Sequence, residues 1–334
     1  VADAPCISVV VPAFNAAATL GHTLASILAQ SHTELEVLVV DDGSTDDTAA
    51  IAARAALGDD RVVIVDYGSN RGRSFARNEG MARARGEWVA MVDADDLLAH
   101  DRFERMVAAV RSFPDTRLVT DDRIGWRLDD HGTVHVEHRF PGRHTWQVGE
   151  PHRLDRRRHF TDRFGHLDLM VRRDFLESTG ASYPTDMSTA EDLTFYLTLL
   201  FWPDDPRPVR VAQPTYYYRL ADSSRTAGGP EARALMASRV VAATGSDEMA
   251  DLQRRWGPTH AWLSARADAA FEAQGRLRPR PAVLVDAAPA PQSTVGGATA
   301  LVAQKALQWV SRWSDRDLRP AIAADISRQL ARSV

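Results

Sequence analysis

The chain reads as an α/β fold: a mostly parallel sheet with helices on both faces, followed by a helical C-terminal extension. Three observations predict it. Through the first third, short apolar runs rich in β-branched residues alternate with stretches whose apolar residues recur at helical spacing. That order implies parallel strands joined by right-handed crossovers. Polar clusters fall where the apolar runs end, at Asn15, Asp41-Asp42, Asn70 and Asp93-Ala94-Asp95-Asp96, and on such a sheet this edge binds ligands. The last cluster sets three carboxylates at the tip of one buried strand. They repel one another unless a cation sits among them.

Element by element, residues 7–12 form the first strand, and Leu20, Leu24, Ile27 and Leu28 mark the helix after it. Residues 35–40 form the second strand. Ser44 and Asp47 read as a capping box opening a helix that reaches residue 56. A strand at 61–65, a helix at 74–85, a strand at 87–92, a helix at 102–110 and a strand at 117–120 follow. Residues 126–136 alternate around Asp129-Asp130-His131-Gly132, a hairpin pattern. Residues 137–166 lack apolar periodicity and read as a long loop. A strand at 167–171, helices at 173–178 and 190–201, and short strands at 209–212 and 215–219 come next.

After Gly228-Gly229-Pro230 the sequence turns Ala-rich and helical over 231–274. Residues 276–297 are Pro-rich and read as a linker. Residues 299–333 return to helix, with Leu301, Leu307, Val310 and Trp313 on one stripe and Ile322, Ile326 and Leu330 on another. The expected division is a catalytic unit over 1–228, with halves at about 1–122 and 123–228, and a helical extension over 229–334. The apolar stripes fit docking on the catalytic unit or on a second copy of the chain.

Composition narrows the function. The 334 residues suffice for one large domain with an appendage, and a net charge of −5 gives no reason to expect nucleic acid. The single cysteine, Cys6, excludes an internal disulfide and favours a reducing compartment. No run of about 18 apolar residues predicts a spanning helix, and no signal peptide is visible. The expected location is cytoplasmic, or peripheral at a membrane.

Several motifs carry candidate chemistry. Pro12 is expected to stop sheet pairing and turn the chain across the sheet edge. Ala13 follows, Phe14 can lie against a planar base, and Asn15 serves such a pocket or simply caps a helix. In Asp41-Asp42-Gly43-Ser44 a carboxylate can accept from a base N–H, Asp42 being the first choice and Asp41 the second; either can also cap the next helix. Asn70-Arg71-Gly72-Arg73-Ser74-Phe75-Ala76-Arg77-Asn78 puts arginines at a helix start, against the helix dipole. That unfavourable placement points to Arg73 and Arg77 as partners of a diphosphate. Glu191-Asp192 opens a helix, offering one acid to cap and one to act as a general base. Asp192 is the first choice and Glu191 the second. Tyr216-Tyr217-Tyr218-Arg219 is an amphipathic edge, or else brings Arg219 to a leaving diphosphate. Seven of the 11 histidines lie between 131 and 166. They match no zinc pattern with cysteine, and the segment is a solvated loop or an acceptor-binding lid with His166 nearest the cleft.

Over roughly residues 6–225, the order of these motifs resembles the family-2 glycosyltransferases. The resemblance implies a GT-A (Rossmann-like) fold and inverting transfer of a sugar from a nucleoside-diphosphate sugar, UDP favoured, to a hydroxyl acceptor. The acceptor would be a glycan, a lipid-linked glycan or a small molecule. It implies that Pro12, Ala13, Phe14 and Asn15 line the nucleobase pocket and that Asp93-Ala94-Asp95 is a DxD motif. In that motif Asp95 would ligate Mn²⁺ or Mg²⁺, and Asp93 would contact the ribose or a metal-bound water. Two other classes share such sheets. A nucleotidyltransferase would carry a Gly-rich, Lys-containing loop after the first strand, where this chain has Phe14-Asn15-Ala16-Ala17. A non-catalytic sugar-nucleotide binder would tolerate loss of the acidic motifs, which this chain retains.

Overall fold

The computed structural model describes residues 7–137, 149–156, 168–220, 230–247 and 318–331. Its strands are β1 (Ile7–Ala13), β2 (Leu35–Asp41), β3 (Val62–Asp66), β4 (Trp88–Met91), β5 (Leu97–Leu98), β6 (Leu118–Leu128), β7 (Val134–Glu137), β8 (His152–Arg153), β9 (Leu169–Arg172) and β10 (Val209–Arg219). Its helices are α1 (Leu20–Leu28), α2 (Thr48–Gly58), α3 (Arg73–Arg83), α4 (Arg102–Ser112), α5 (Arg173–Thr179), α6 (Glu191–Leu200), α7 (Pro230–Thr244) and α8 (Leu318–Leu330). One sheet runs in the order β3-β2-β1-β4-β9-β6-β10-β5, with β7 paired to β6 and β8 to β10. Strands β3, β2, β1 and β4 are parallel neighbours. Beyond them β9 lies antiparallel between β4 and β6, and β10 returns parallel to β6.

The central strands are apolar on both faces because helices cover both. Val9 and Val11 face a core completed by Leu24, Ile51 and Phe103 from α1, α2 and α4. Val10, Leu38 and Val40 face the opposite core, with Ala76, Phe195 and Leu199 from α3 and α6. Such alternation buries consecutive residues of one strand in different layers. Each fully buried aliphatic side chain stabilises the fold by roughly 1.5–3 kcal/mol, which offsets the cost of ordering the polar loops at the strand tips.

Several sequence expectations shift. Pro12 does not stop pairing altogether: β1 stays in register with β2 through Ala13, and only pairing with β4 ends at Val10. A strand residue's N–H points to one neighbour only, so its loss at proline leaves the other ladder intact. Ser44 opens no capping box. It bonds to Asp41, and α2 begins at Thr48, whose N–H is taken by Asp46. The strands expected at 117–120 and 126–136 are one continuous β6 and its hairpin partner β7. Its inner charges, Asp121, Asp122 and Arg123, are buried in ion pairs with Arg102, Arg210 and Asp168. Likewise β10 runs unbroken through 213–214, where a register shift at Pro214 absorbs the missing N–H. Of the loop expected at 137–166, residues 152–153 form β8 against β10; 138–148 and 157–167, with His166, lie outside the described residues.

Toward the C-terminus, Met236 and Val240 of α7 join the α6 core. In α8, Ile322 and Ile326 are buried against Leu97, Ile124, Trp126 and Tyr217. Gln329 Nε2 donates to the Leu98 carbonyl at 2.9 Å, and the Tyr217 hydroxyl donates to Asp325 at 3.1 Å. The other stripe, Leu301 to Trp313, lies outside the described residues.

Helix α3 approaches the sheet so closely at Gly80 that an added Cβ would sit 2.2 Å from Val10 Cγ1 and 3.1 Å from Val40 Cγ2. Gly80→Ala should therefore lower stability by about 1–3 kcal/mol, although alanine favours an isolated helix by roughly 1 kcal/mol. Urea titration followed by circular dichroism measures this, and an unchanged or raised midpoint would contradict the close approach.

Candidate active site

The polar cluster assembles at the C-terminal tips of β1, β2 and β4, closed from the far side by the start of α6 and the end of β10. At the nucleotide end, Phe14 is 48% exposed at the mouth, free of the core and able to cover a flat ring. The turn beneath it is stitched to the β2–α2 loop. Asn15, in the left-handed region at φ 50, accepts from the Thr45 N–H at 2.8 Å, and its own N–H donates to Ser44 Oγ. Ala16 and Ala17 donate to Thr48 and Asp46. Asp41 accepts from both the N–H and the hydroxyl of Ser44. Asp42 accepts from the Tyr67 hydroxyl and from the N–H groups of Arg71 and Gly72, at 2.6, 2.7 and 2.9 Å. It thereby folds the loop holding the exposed Asn70 over the base end. Gly43, at φ 72, permits this closure, because a Cβ there would meet the Asn70 nitrogen at 2.6 Å.

Arg77 points inward from the first turn of α3, only 8% exposed. It donates to Asp93 Oδ1 at 2.8 Å and to Glu191 Oε1 at 3.1 Å. Arg73, half-exposed at the rim, stands 3.7 Å from the same Glu191 oxygen. Glu191 is thus buried and committed to arginines. Asp192 instead lines the recess that Asp93, Arg77, Tyr183 and Tyr216 share, with one oxygen taking the Leu193 N–H at 2.7 Å. Ala190, just before this helix, sits in the left-handed region at φ 62, a strained turn of the kind found where a loop aims functional groups. Asn78 clamps the opposite wall by exchanging two hydrogen bonds with the Tyr183 backbone.

The three carboxylates at the tip of β4 have three different environments. Desolvation works against the Asp93 charge, but Arg77 outweighs it and holds the pKa below the ordinary range. Asp96 is fully buried. Desolvation, then the charges of Asp95 and Asp93, push it well up, and it accepts from the Tyr216 hydroxyl at 2.7 Å and the Arg219 N–H at 2.7 Å. Asp95 stands open at the mouth. The protein mass around it, then the Asp93 charge, push its pKa up to about 6, partly offset by Arg219 and Arg123. No side chain among the described residues donates to it. Ala94 is buried, its carbonyl held by the Thr23 hydroxyl at 2.9 Å.

A divalent cation suits Asp95, whose carboxylate is exposed and, among the described residues, has no cationic partner in contact. Among the described residues no three His, Cys, Asp or Glu side chains converge on one point. A hard cation that takes one or two carboxylates and completes its shell with phosphate oxygens and water needs no such cage.

Two features of the site escape the motif reading. One is Arg123 of β6, bonded through Nε and Nη2 to Asp168 at the start of β9; both line the recess. A run of charges inside an apolar strand was the available signal. The other is the part Tyr216 plays within the tyrosine run: it donates to Asp96 and accepts from the Asp93 N–H at 3.2 Å. His166 lies outside the described residues.

The sequence profile of glycosyl transferase family 2 matches residues 8–179. The chain is similar to the succinoglycan biosynthesis protein ExoO of Rhizobium meliloti (strain 1021), with 44% identity over 103 residues, 31% of this chain and 29% of that one. It is 31% identical over 202 residues to the putative teichuronic acid biosynthesis glycosyltransferase TuaG of Bacillus subtilis (strain 168), covering 59% of this chain and 72% of that one. Its fold matches S. aureus TarS 1–349 in complex with UDP, with a TM-score of 0.56 and 20% identity over 71% of this chain and 64% of that one. The match thus spans less than a third of ExoO and just under two thirds of that TarS chain. The chain belongs to glycosyl transferase family 2 and has a GT-A fold.

Tyr216→Phe should leave Asp96 without its hydroxyl donor and the Asp93 N–H without its acceptor. Because all these groups are buried or nearly so, the loss should lower stability by about 1–3 kcal/mol. Thermal unfolding followed by circular dichroism tests it, and a melting temperature equal to wild type would remove Tyr216 from this role.

Proposed function

We propose that the protein transfers a sugar, with inversion at the anomeric carbon, from a nucleoside-diphosphate sugar to a hydroxyl group of a growing glycan or polysaccharide. The observation that carries this reading is the division of labour between adjacent acids: Glu191 is buried against Arg77, whereas Asp192 lines the recess. UDP is the favoured nucleotide. TarS, similar in fold, is crystallised with UDP and with UDP-GlcNAc, and ExoO and TuaG are named for polysaccharide biosynthesis.

In this mechanism the base rests between Phe14 and the Asp41-Asp42 turn. Asp93 meets the ribose, and Asp95 would hold Mn²⁺ or Mg²⁺. The cation, when bound, supplies positive charge against the diphosphate. Arg73 at the rim and Arg219 beside Asp95 add to that charge as the bond between C1 and the diphosphate oxygen breaks, its electron pair leaving with the nucleoside diphosphate. Asp192 takes the proton of the acceptor hydroxyl as its oxygen forms the new bond to C1. Arg77 keeps Asp93 and the start of α6 at fixed separation. Residues 1–228 carry this machinery, and helices α7 and α8 pack against its described part.

Asp95→Ala should abolish the cation-dependent part of UDP binding while leaving the melting temperature unchanged. Calorimetric titration of UDP with and without Mn²⁺ reads this directly, and equal Mn²⁺ enhancement in wild type and variant would sink the assignment. Asp192→Asn keeps the size and hydrogen-bonding reach of the side chain but cannot take a proton at neutral pH. Donor binding should stay near wild type, and transfer should fall about 10²–10⁴-fold. Normal turnover in this variant alongside an inactive Glu191→Gln would reverse the two roles.

A further inference from the structure

Strand β5 directly follows the Asp93–Asp96 turn. Its two residues, Leu97 and Leu98, form the edge of the sheet beside β10. A ladder this short fixes little by itself. Strand β10 is irregular at the same place: its register against β6 shifts between Arg210 and Pro214 and again between Pro214 and Tyr216. A shift of this kind re-aims the side chains beyond it, so tertiary contacts decide which face of residues 216–219 turns inward. Successive side chains of a strand point to opposite sides. With Tyr217 held on the outer side, Tyr216 falls on the inner one, where it meets Asp96 and the Asp93 N–H.

Helix α8 supplies what both strands lack. Positions 322, 325, 326 and 329 share one side of this helix. Ile322 and Ile326 are buried with Leu97, Trp126 and Tyr217. Beside them Asp325 accepts from the Tyr217 hydroxyl at 3.1 Å, and Gln329 Nε2 donates to the Leu98 carbonyl at 2.9 Å and to Asp325 at 3.1 Å. The hydrogen bonds thus run from Tyr217 through Asp325 and Gln329 to Leu98. Tyr217 is the register partner of Leu97, and Tyr216 that of Leu98. The bridge therefore closes over the two rungs next to the turn. Burial, then the Asp325 charge, hold the Tyr217 pKa above its usual value, which keeps the hydroxyl a donor. A helix that only covered apolar surface would need the two isoleucines and no buried amide, since burying polar groups is costly unless they are paired.

We propose that Asp325 and Gln329 are positioning residues for the cation: by bridging β10 and β5 they fix the Asp93–Asp96 turn, so that α8 sets how strongly Asp95 holds a divalent ion against the donor's diphosphate. The inference rests on the assignment of a cation to Asp95. Both residues lie outside every motif with candidate chemistry, and both act through the turn. When the bridge opens, the fraction of molecules with a competent turn falls, and the apparent affinity falls in proportion.

Calorimetric titration of the full chain with UDP and with GDP, with and without Mn²⁺, reads the cation's share of the affinity. Gln329→Met keeps the length of the side chain but cannot donate, and Asp325→Ala removes the acceptor of Tyr217. Each should cut the Mn²⁺ enhancement about 5-fold or more and leave the metal-free affinity unchanged. Asp325→Asn still accepts from both donors and should keep the wild-type enhancement. Ser8→Ala serves as the comparison for lost stability alone. It removes a buried hydroxyl that donates to Glu36 at 2.6 Å where β1 begins, at the opposite end of the strands from the turn, and should keep the full enhancement. Wild-type enhancement in both folded α8 variants overturns the proposal. So does an equal loss in Ser8→Ala, an equal fall in metal-free affinity, or a loss in Asp325→Asn as large as in Asp325→Ala. A wild-type chain that gains nothing from Mn²⁺ with either nucleotide overturns the cation assignment and the inference with it. Hydrogen exchange of the wild-type protein tests the bridge without any variant. Under mild denaturant the amides of residues 96–99 and 318–331 should lose protection together, as one cooperative unit. Release of α8 with β5 still protected overturns the proposal.

Discussion

The guanidinium of Arg77 joins two halves of the molecule that have no covalent reason to meet. Asp93 lies just past the end of β4, and Glu191 starts a helix about a hundred residues later. One buried arginine holds both within 3.1 Å. Burial of such a group is unfavourable unless its hydrogen bonds are met, and removing one partner of a buried pair typically costs about 3–5 kcal/mol. That penalty makes the arrangement selective. The two elements approach only in the register that satisfies Arg77, and this register also brings Asp192 to the recess. Stability and the geometry of the recess are therefore set by the same contact.

A second junction works on the other side of the β4 tip. Asp96 accepts from Tyr216 and Arg219 of β10, and β5, directly after it, pairs with β10. The loop carrying Asp93 and Asp95 is thus held at its C-terminal end by the last strand of the sheet. Helix α8 then covers this strand through Ile326 and Asp325, and holds β5 through Gln329. The C-terminal helix touches none of the acids, yet it packs on the elements that fix their position.

Much of this was legible in the sequence because it depends on local pattern. The apolar runs of β1, β2 and β4 and the acids that end them required only periodicity and strand length. The inward direction of Arg77 followed from its place one turn into α3. What failed was decided by distant partners. Asp121, Asp122 and Arg123 look like the end of a strand, since an isolated charge there would not survive burial. They continue the strand because Arg102, Arg210 and Asp168 neutralise them from other elements. Pro12 and Pro214 look like strand ends for a similar reason: the sequence shows the missing N–H but not which neighbour it would have faced. Glu191 and Asp192 are equivalent as text. Only the location of Arg77 separates a committed acid from one facing the recess.

The acids of the site are also unequal in how far the protein satisfies them. Asp42, Asp93, Asp96 and Glu191 all accept from neighbouring donors. Among the described residues no other side chain donates to Asp95, and burial, then the Asp93 charge, raise its pKa to about 6. A protein gains nothing in stability from keeping such a carboxylate at the mouth of a cleft, since an uncharged residue there would avoid the repulsion from Asp93. Its position makes sense as one end of a larger charge set completed by the ligand: a diphosphate brings negative charge, a divalent cation offsets both, and Arg219 stands close enough to stabilise the sum. The fold thus builds the turns at the strand tips, the arginine bridge and the recess. It leaves Asp95 open at the mouth, its charge only partly offset by Arg219 and Arg123.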